Sequence, residues 1–367
     1  MNLSLISLEI GVALLGVLVL LAGLWTPPHR RPMLGFCTAL GLTVMLALLV
    51  KQGVSIEPIK DASGGYVRDG LAVFFKALFL LAGILVTLLT MGFANRLRTG
   101  GAEVYALNCF ALCGMLFAAS ANSFVMLFVA IELITITFYV LTSLQSHRLR
   151  SLEAGIKYLI LGAAASAIMV FGIALIYGSA HTLQFTLIAD GLAAGDMKQL
   201  LLFQLGALLL LAGLAFKIAA VPFHAWAPDA YEGAHAPVAA FLATASKVAG
   251  LAALGRVCLV IFASEGQVLA VVLGSLAALS IMVGSVLAMV QTNIKRLLAY
   301  SSIAHAGYAL LGFVAGTATG TEATMTYAFL YVFMTLGAFG VVIALGPRGE
   351  SLDGFQGLAA QRPGTAA

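Results

Sequence analysis

Three ionisable residues stand where the surrounding sequence is almost wholly apolar. Glu132 sits in LFVAIELITITFYVL, Lys217 closes LLLLAGLAFK, and Lys247 lies among small residues in FLATASKVAGLAAL. Such a set can hold and pass protons. Burial favours the neutral form of an ammonium, and a carboxylate brought close favours the charged form. A charge at the centre of a bilayer helix costs about 2.5–3.5 kcal/mol on insertion scales, so each of the three points to function. Glu132 comes about eleven residues into its apolar run, roughly 15 Å deep at 1.5 Å per residue, and is too short to reach an interface. Lys247 is equally deep, and its small neighbours permit close helix approach and leave room for water. The plain alternative is a structural scaffold whose buried charges only pair.

Lys217 opens the most unusual stretch of the chain, FKIAAVPFHAWAPDAYEGAHAPV at 216–238. Pro222, Pro228 and Pro237 are the only prolines between Pro58 and Pro347. Proline removes a backbone donor and breaks helices. Freed backbone groups are tolerated at membrane depth only against protein or water. Broken helices of this kind build ion sites in transporters. Lys217 and His224 flank Pro222, which predicts a hydrated, titratable site beside a helix break. An ordinary loop accounts for Asp229 and Glu232, but not for Lys217, which is still inside the apolar run.

Further candidates are weaker. Lys157 lies near the start of its run, where a lysine also reaches the interface by snorkelling. Lys76 and Arg256 lie near the ends of theirs, and snorkelling is the expectation for both. Lys295, beside Arg296, mostly anchors a helix at the interface, with a role in transport left open. His305 in SSIAHAGY shares a helix face with Ser301 and Tyr308, a stripe that suits a proton relay or a hydrogen-bonded packing group. Cys37, Cys109, Cys113 and Cys258 form no CxxC pair and read as small packing residues.

The elements that must position these residues follow from composition. The chain has 367 residues, 62% hydrophobic and 9% charged. Soluble domains carry about 25% charged residues, so this is an all-α polytopic membrane protein. Hydropathy predicts about eleven transmembrane helices, near 5–25, 33–50, 70–93, 103–119, 122–144, 152–178, 199–221, 237–262, 267–290, 295–315 and 322–345. The first is a transmembrane helix and not a removed signal peptide. Segment 51–69 reads as a polar extramembrane loop, and 181–198 as a second, mildly amphipathic loop. Arg30, Arg31, Arg96, Arg98, Arg148, Arg150, Lys295, Arg296, Arg348 and Arg362 fall on one side; Lys51, Lys60, Arg68 and Lys198 fall on the other. Positive residues stay inside, which predicts an N-terminus outside and residue 346 onward in the cytoplasm. The net charge of +4 says nothing of nucleic acid, and none is expected as a partner. No dinucleotide fingerprint, cluster-binding cysteine set or haem pattern occurs, so no cofactor is expected in this chain.

The stretches KIAAVPFHAWAPDAYEGA, APVAAFLATASKVAGLAALGR, NIKRLLAYSSIAHAGYALLGF and LFVAIELITITFYVL resemble the antiporter-like membrane subunits of respiratory complex I and its relatives. The likeness runs from about residue 103 to 356. Tyr231-Glu232-Gly233 favours the redox-driven branch over cation/proton antiporters, which form the alternative. The resemblance implies a proton-translocating subunit of a quinone reductase in a bacterial inner membrane. NADH, FMN, iron-sulfur clusters and quinone would sit on partner subunits. Its direct partners would be neighbouring antiporter-like and small helical membrane subunits, together with the lipid bilayer. It maps function onto Glu132, Lys217 and Lys247, with Lys157 and His224 in support. In the family the glutamate pairs with the lysine of the broken helix, and the next lysine passes the proton to a hydrophilic axis. The implied fold is three preceding helices (1–102), then two inverted five-helix repeats. The first would fill 103–262, with a broken seventh helix, and the second would start at 263–346. The family continues beyond QRPGTAA, so the second repeat is expected to be truncated here, with 347–367 as a cytoplasmic stub. His235-Ala236 replaces the family's usual proline and small polar residue, so that connection is expected to differ.

Overall fold

A computed structural model describes the chain except residues 1–4, 28–29, 54–57, 94–100, 146, 196–200, 262–265 and 367. Arg96, Arg98 and Lys198, used above for orientation, lie outside the described residues, as does Ala367. Apolar runs become helices because a bilayer leaves the backbone no other partner than itself. They are α1 Ser7–Trp25, α2 Arg31–Gln52, α3 Gly70–Phe93, α4 Gly101–Ala119, α5 Phe124–Thr142 and α6 Leu149–Ala180. After a short α7, Phe185–Ala193, come α8 Leu201–Lys217, α9 Trp226–Gly233, α10 Ala236–Phe241 and α11 Lys247–Val260. The chain continues as α12 Gly266–Met289, α13 Ile294–Val314 and α14 Ala318–Leu345. Among the described residues ten helical segments are long and apolar enough to cross a membrane, and α8 is a shorter apolar helix. Side-chain caps start α5 and α13: Ser123 accepts from the Met126 amide, and Asn293 accepts from the amides of Lys295 and Arg296.

Residues 236–260 form one span that is wholly surrounded by protein. It is continuous from α10 to α11 through a π-helical turn, Leu242–Ser246, which delivers Lys247 as the next residue. Single π turns of this kind recur at functional sites. The large core cluster gathers around this segment, with the Phe138 ring tilted against Phe241 at 5.2 Å. On one flank α6 and α8 cross at glycines. A Cβ at Gly172 would lie 2.7 Å from the Gly206 carbonyl, and one at Gly206 would lie 2.7 Å from the Gly172 carbonyl. Only glycine allows that backbone approach.

Both expected loops carry structure. Within 51–69, β1 Ile59–Lys60 and β2 Val67–Arg68 form a hairpin. It is strapped down by Val67 donating to the Ser120 carbonyl (2.9 Å) and Asn122 donating to Gly65 (2.8 Å). Within 181–198, α7 is an amphipathic helix that buries Phe185, Ile188 and Leu192.

Snorkelling is overturned for Lys76 and Arg256. Lys76 donates to Glu9 of α1 (2.6 Å) and to the Tyr66 hydroxyl (2.6 Å), and Glu9 is fully buried. Arg256 is paired with Asp69 and donates to the Ala119 carbonyl (2.6 Å). The reason is tertiary: α1 and the hairpin end bring acceptors to them, so the cations turn inward.

Candidate proton-transfer site

The predicted break is present. α8 stops at Lys217, and α9 does not begin until Trp226. Between them Ala219 takes a positive φ of 56°, and the Val221–Pro222 peptide is cis. The backbone groups freed by the break are met by protein. The Trp226 indole donates to the Phe216 carbonyl (2.9 Å), and the Val221 amide donates to Ser280 Oγ (2.9 Å). Trp226 is in turn held by Tyr158, stacked at 4.5 Å.

Lys217 is 3% exposed, and its amino group has no hydrogen-bond partner. It borders a cavity of about 10 Å³ with Thr135, Ser166 and Phe216, the room one water needs. Ser166 donates a short hydrogen bond to the Glu132 carboxylate. Ser166 therefore links Glu132 to the hollow that Lys217 borders. They do not form the ion pair that the sequence resemblance implies, for Lys217 Nζ is unpartnered. Glu132 is only half-buried, so it stands at the rim of the protein and not deep within it.

Lys217 also touches the central span. A Cβ at Gly250 would lie 3.0 Å from Lys217 Cγ and 2.7 Å from Ile218 Cγ2. Gly250 is less than one helical turn beyond Lys247, so both lysines meet α11 within that turn. Lys247 is 2% exposed and donates to the Ser302 carbonyl (2.8 Å) and to Ser302 Oγ (2.7 Å) on α13. Ser302 Oγ lies 3.5 Å from the Tyr231 hydroxyl. One turn along α13, His305 Nδ1 lies 2.5 Å from the Tyr327 hydroxyl, with Tyr331 packed against the ring at 5.3 Å. Tyr331 donates to the carbonyl of Ala243 (2.8 Å), inside the π turn. Lys247, Ser302 and His305 thus form one polar line. Ser302 on this line and Ser166 beside Glu132 are absent from the expected set.

The other expected residues lie apart. Lys157 is exposed and pairs with Glu153 (2.7 Å) and Asp229 (3.1 Å). Asp229 and Glu232 on α9 both bind Arg296 (2.6 and 3.1 Å), beside a cavity of about 230 Å³. Burial pushes the Asp229 carboxyl up, but hydrogen bonds from Arg296 and Lys157 outweigh it and hold it below the carboxylate range. Lys295 is buried and donates to the carbonyls of Glu232 (2.7 Å) and Ala234 (3.0 Å). It closes the C-terminal end of α9, where a cation suits the helix dipole. His224 is half-buried with Nδ1 unpartnered, on the far side of Pro222 from Lys217 in the chain. Among the described residues no group of three metal-ligating side chains occurs.

The polar line falls where known proteins match. The family described as NADH:quinone oxidoreductase/Mrp antiporter, TM matches residues 121–367. NADH-quinone oxidoreductase subunit N of Rhodospirillum rubrum is 41% identical over 364 residues, covering 98% of this chain and 74% of that one. The protein of the same name from Moorella thermoacetica is 41% identical over 372 residues, covering 100% and 76%. A chain in respiratory complex I from Thermus thermophilus with bound aureothin is 35% identical, with a TM-score of 0.80 over 98% of this chain and 75% of that one. The Mrp complex from Dietzia sp. shares the fold at 24% identity, with a TM-score of 0.76 over 94% and 65%. The antiporter-like helical fold expected from the sequence is therefore present, and the chain belongs to the family of NADH:quinone oxidoreductase and Mrp antiporter membrane subunits.

Proposed function

We propose that this chain is a proton-translocating membrane subunit of an NADH:quinone oxidoreductase, with the electron chemistry on other subunits. The observation that carries the reading is a buried, unpartnered Lys217 beside a water-sized cavity at a helix break. In this reading Glu132 and Ser166 deliver a proton to Lys217 through one water. Lys247 takes it across the shared turn of α11, and Ser302 and His305 lead it on. Lys157, His224 and Lys295 support the face from which protons enter. The magnitude is suitable. A proton crossing about 150–200 mV needs roughly 3.5–4.6 kcal/mol, which is about three pKa units of change at a carrier. Opening and closing the Glu132–Lys217 contact can supply a change of that size. The basic face, with Arg148, Arg150, Lys295, Arg296 and Arg348, is taken as cytoplasmic, and bacterial relatives support an inner-membrane location. Relatives named as oxidoreductase subunits, with Tyr231-Glu232-Gly233, disfavour the antiporter alternative. The test is Lys217→Ala and Lys247→Ala in the assembled complex, with quinone reduction and proton pumping measured together. Each variant is expected to assemble and to lose most pumping. Full pumping by both would end the proposal.

A further inference from the structure

On the basic face, the ends of α3, α10 and α14 and the turn between α5 and α6 enclose a cavity of about 200 Å³. Phe93, Val342 and Pro347 form an apolar wall, and Gln145, His147 and Arg148 form a polar one. His235 lines it at 3% exposure, stacked on Phe93 at 5.5 Å, and neither ring nitrogen has a hydrogen-bond partner. A neutral imidazole always presents one N–H and one acceptor. A buried polar group left bare costs about 1–3 kcal/mol. Burial and the nearby Lys295 ammonium push the His235 imidazole down to about 3, so it is neutral at physiological pH.

The walls offer donors and few free acceptors. Arg148 already uses the Gln145 side-chain oxygen at 3.2 Å. The Glu350 carboxylate at the edge stands 3.4 Å from Lys295 Nζ. What fits is a group rich in acceptor oxygens with an apolar extension. A second hollow of about 430 Å³ shares His147, Arg148 and Glu350 and adds Arg150 and Lys295 beside Glu232, so a further guanidinium and ammonium border the neighbouring space. The helix ends Phe93 and Leu345 mark the level at which lipid phosphates lie, and basic pockets between helices at that level take anionic headgroups.

We propose that this cavity binds the phosphate of an anionic phospholipid, with Arg148 and His147 on the phosphate, His235 donating from within, and the glycerol and first acyl carbons against Phe93 and Val342. The site is independent of the proton line and stands or falls without it.

The test uses the protein in the assembly its native membrane holds, purified in mild detergent and washed free of loose lipid. Phosphatidylglycerol, phosphatidylcholine or inorganic phosphate is added, and native mass spectrometry counts what stays bound. Wild type is expected to keep about one more phosphatidylglycerol than the H147Q/R148Q double variant, with no difference for phosphatidylcholine. The rim pair is exposed, so its loss leaves the fold intact. His235→Phe keeps the ring stack and removes both nitrogens, and should weaken phosphatidylglycerol retention severalfold in an intact assembly. Equal retention in wild type and both variants overturns the proposal. Displacement of the lipid by millimolar inorganic phosphate assigns the site to the free anion and overturns the lipid assignment.

Discussion

Lys247 and Lys217 are both buried, yet one amino group has two acceptors and the other has none. An ammonium carries three donors. Lys247 Nζ thus has a cradle in Ser302, whereas Lys217 Nζ has only the water-sized cavity beside it. In the proposed path that asymmetry makes Lys217 the carrier that water reaches and Lys247 the one that protein holds. It also separates titration from charge. Lys247→Arg keeps the charge but hardly ever releases a proton, because the arginine pKa exceeds about 12. It is expected to cut pumping about tenfold or more with assembly intact, as read by proton uptake into vesicles. An arginine variant that pumps normally would take Lys247 out of the path. Glu132→Gln should likewise reduce pumping in an assembled complex; loss of assembly in proportion would make the contact structural. These residues were legible because a charge inside an apolar run is a local signal. Ser166 and Ser302 were not, since serine is common in membrane helices. Only the crossings of α5 with α6 and of α11 with α13 give these two a partner.

At the scale of elements, two departures from regular helix meet at one place. The α8–α9 break begins at Lys217, and the π turn ends just before Lys247. The break was legible because three prolines cluster in a long stretch, Pro58 to Pro347, that otherwise has none. The π turn has no such mark in LATAS, and the mild amphipathy of 181–198 marks α7 without revealing it as a helix, because nine residues are too few to establish a period in hydropathy. Gly250 is what lets the two irregular elements touch. A side chain there would push on Ile218 and on the Lys217 stem. Gly250→Val should displace Lys217 from its cavity and reduce pumping severalfold while helical content is unchanged. Gly337 is the control, since a Cβ there meets nothing within 4 Å. Gly337→Ala should pump as wild type. Equal pumping by the two glycine variants would show that the close approach is incidental.

Across the whole molecule the two faces are built differently. The basic face carries the partly exposed ion pairs of Lys157, Asp229 and Arg296, whereas the opposite face buries two cations, Lys76 and Arg256, beside the hairpin. There Lys76 meets Glu9 and Tyr66, and Arg256 meets Asp69 and Ala119, joining α1, α3, α4 and α11. No local sequence signal announces contacts between residues so far apart in the chain, which is why snorkelling was the natural expectation for both cations. Removing one partner of a buried pair costs about 3–5 kcal/mol, because the other charge is left bare. Arg256→Met is therefore expected to lower the unfolding midpoint of the assembly. Burial pushes the Asp69 carboxyl up, but the hydrogen bonds and charge of Arg256 outweigh it and hold it below its ordinary 3.8. A depressed carboxyl stabilises the fold above the unfolded value and loses that contribution as pH falls through the folded one. The gap between wild type and Arg256→Met should thus be full at neutral pH and shrink below about pH 4. Asp69 also accepts from the Ala72 amide at the start of α3 (2.9 Å), and asparagine preserves that cap while removing the charge. Adding Asp69→Asn to Arg256→Met should then restore part of the lost midpoint, as measured by scanning fluorimetry. A double variant no more stable than the single one would mean that Arg256 holds the face through Ala119 and packing, and not through its pairing with Asp69.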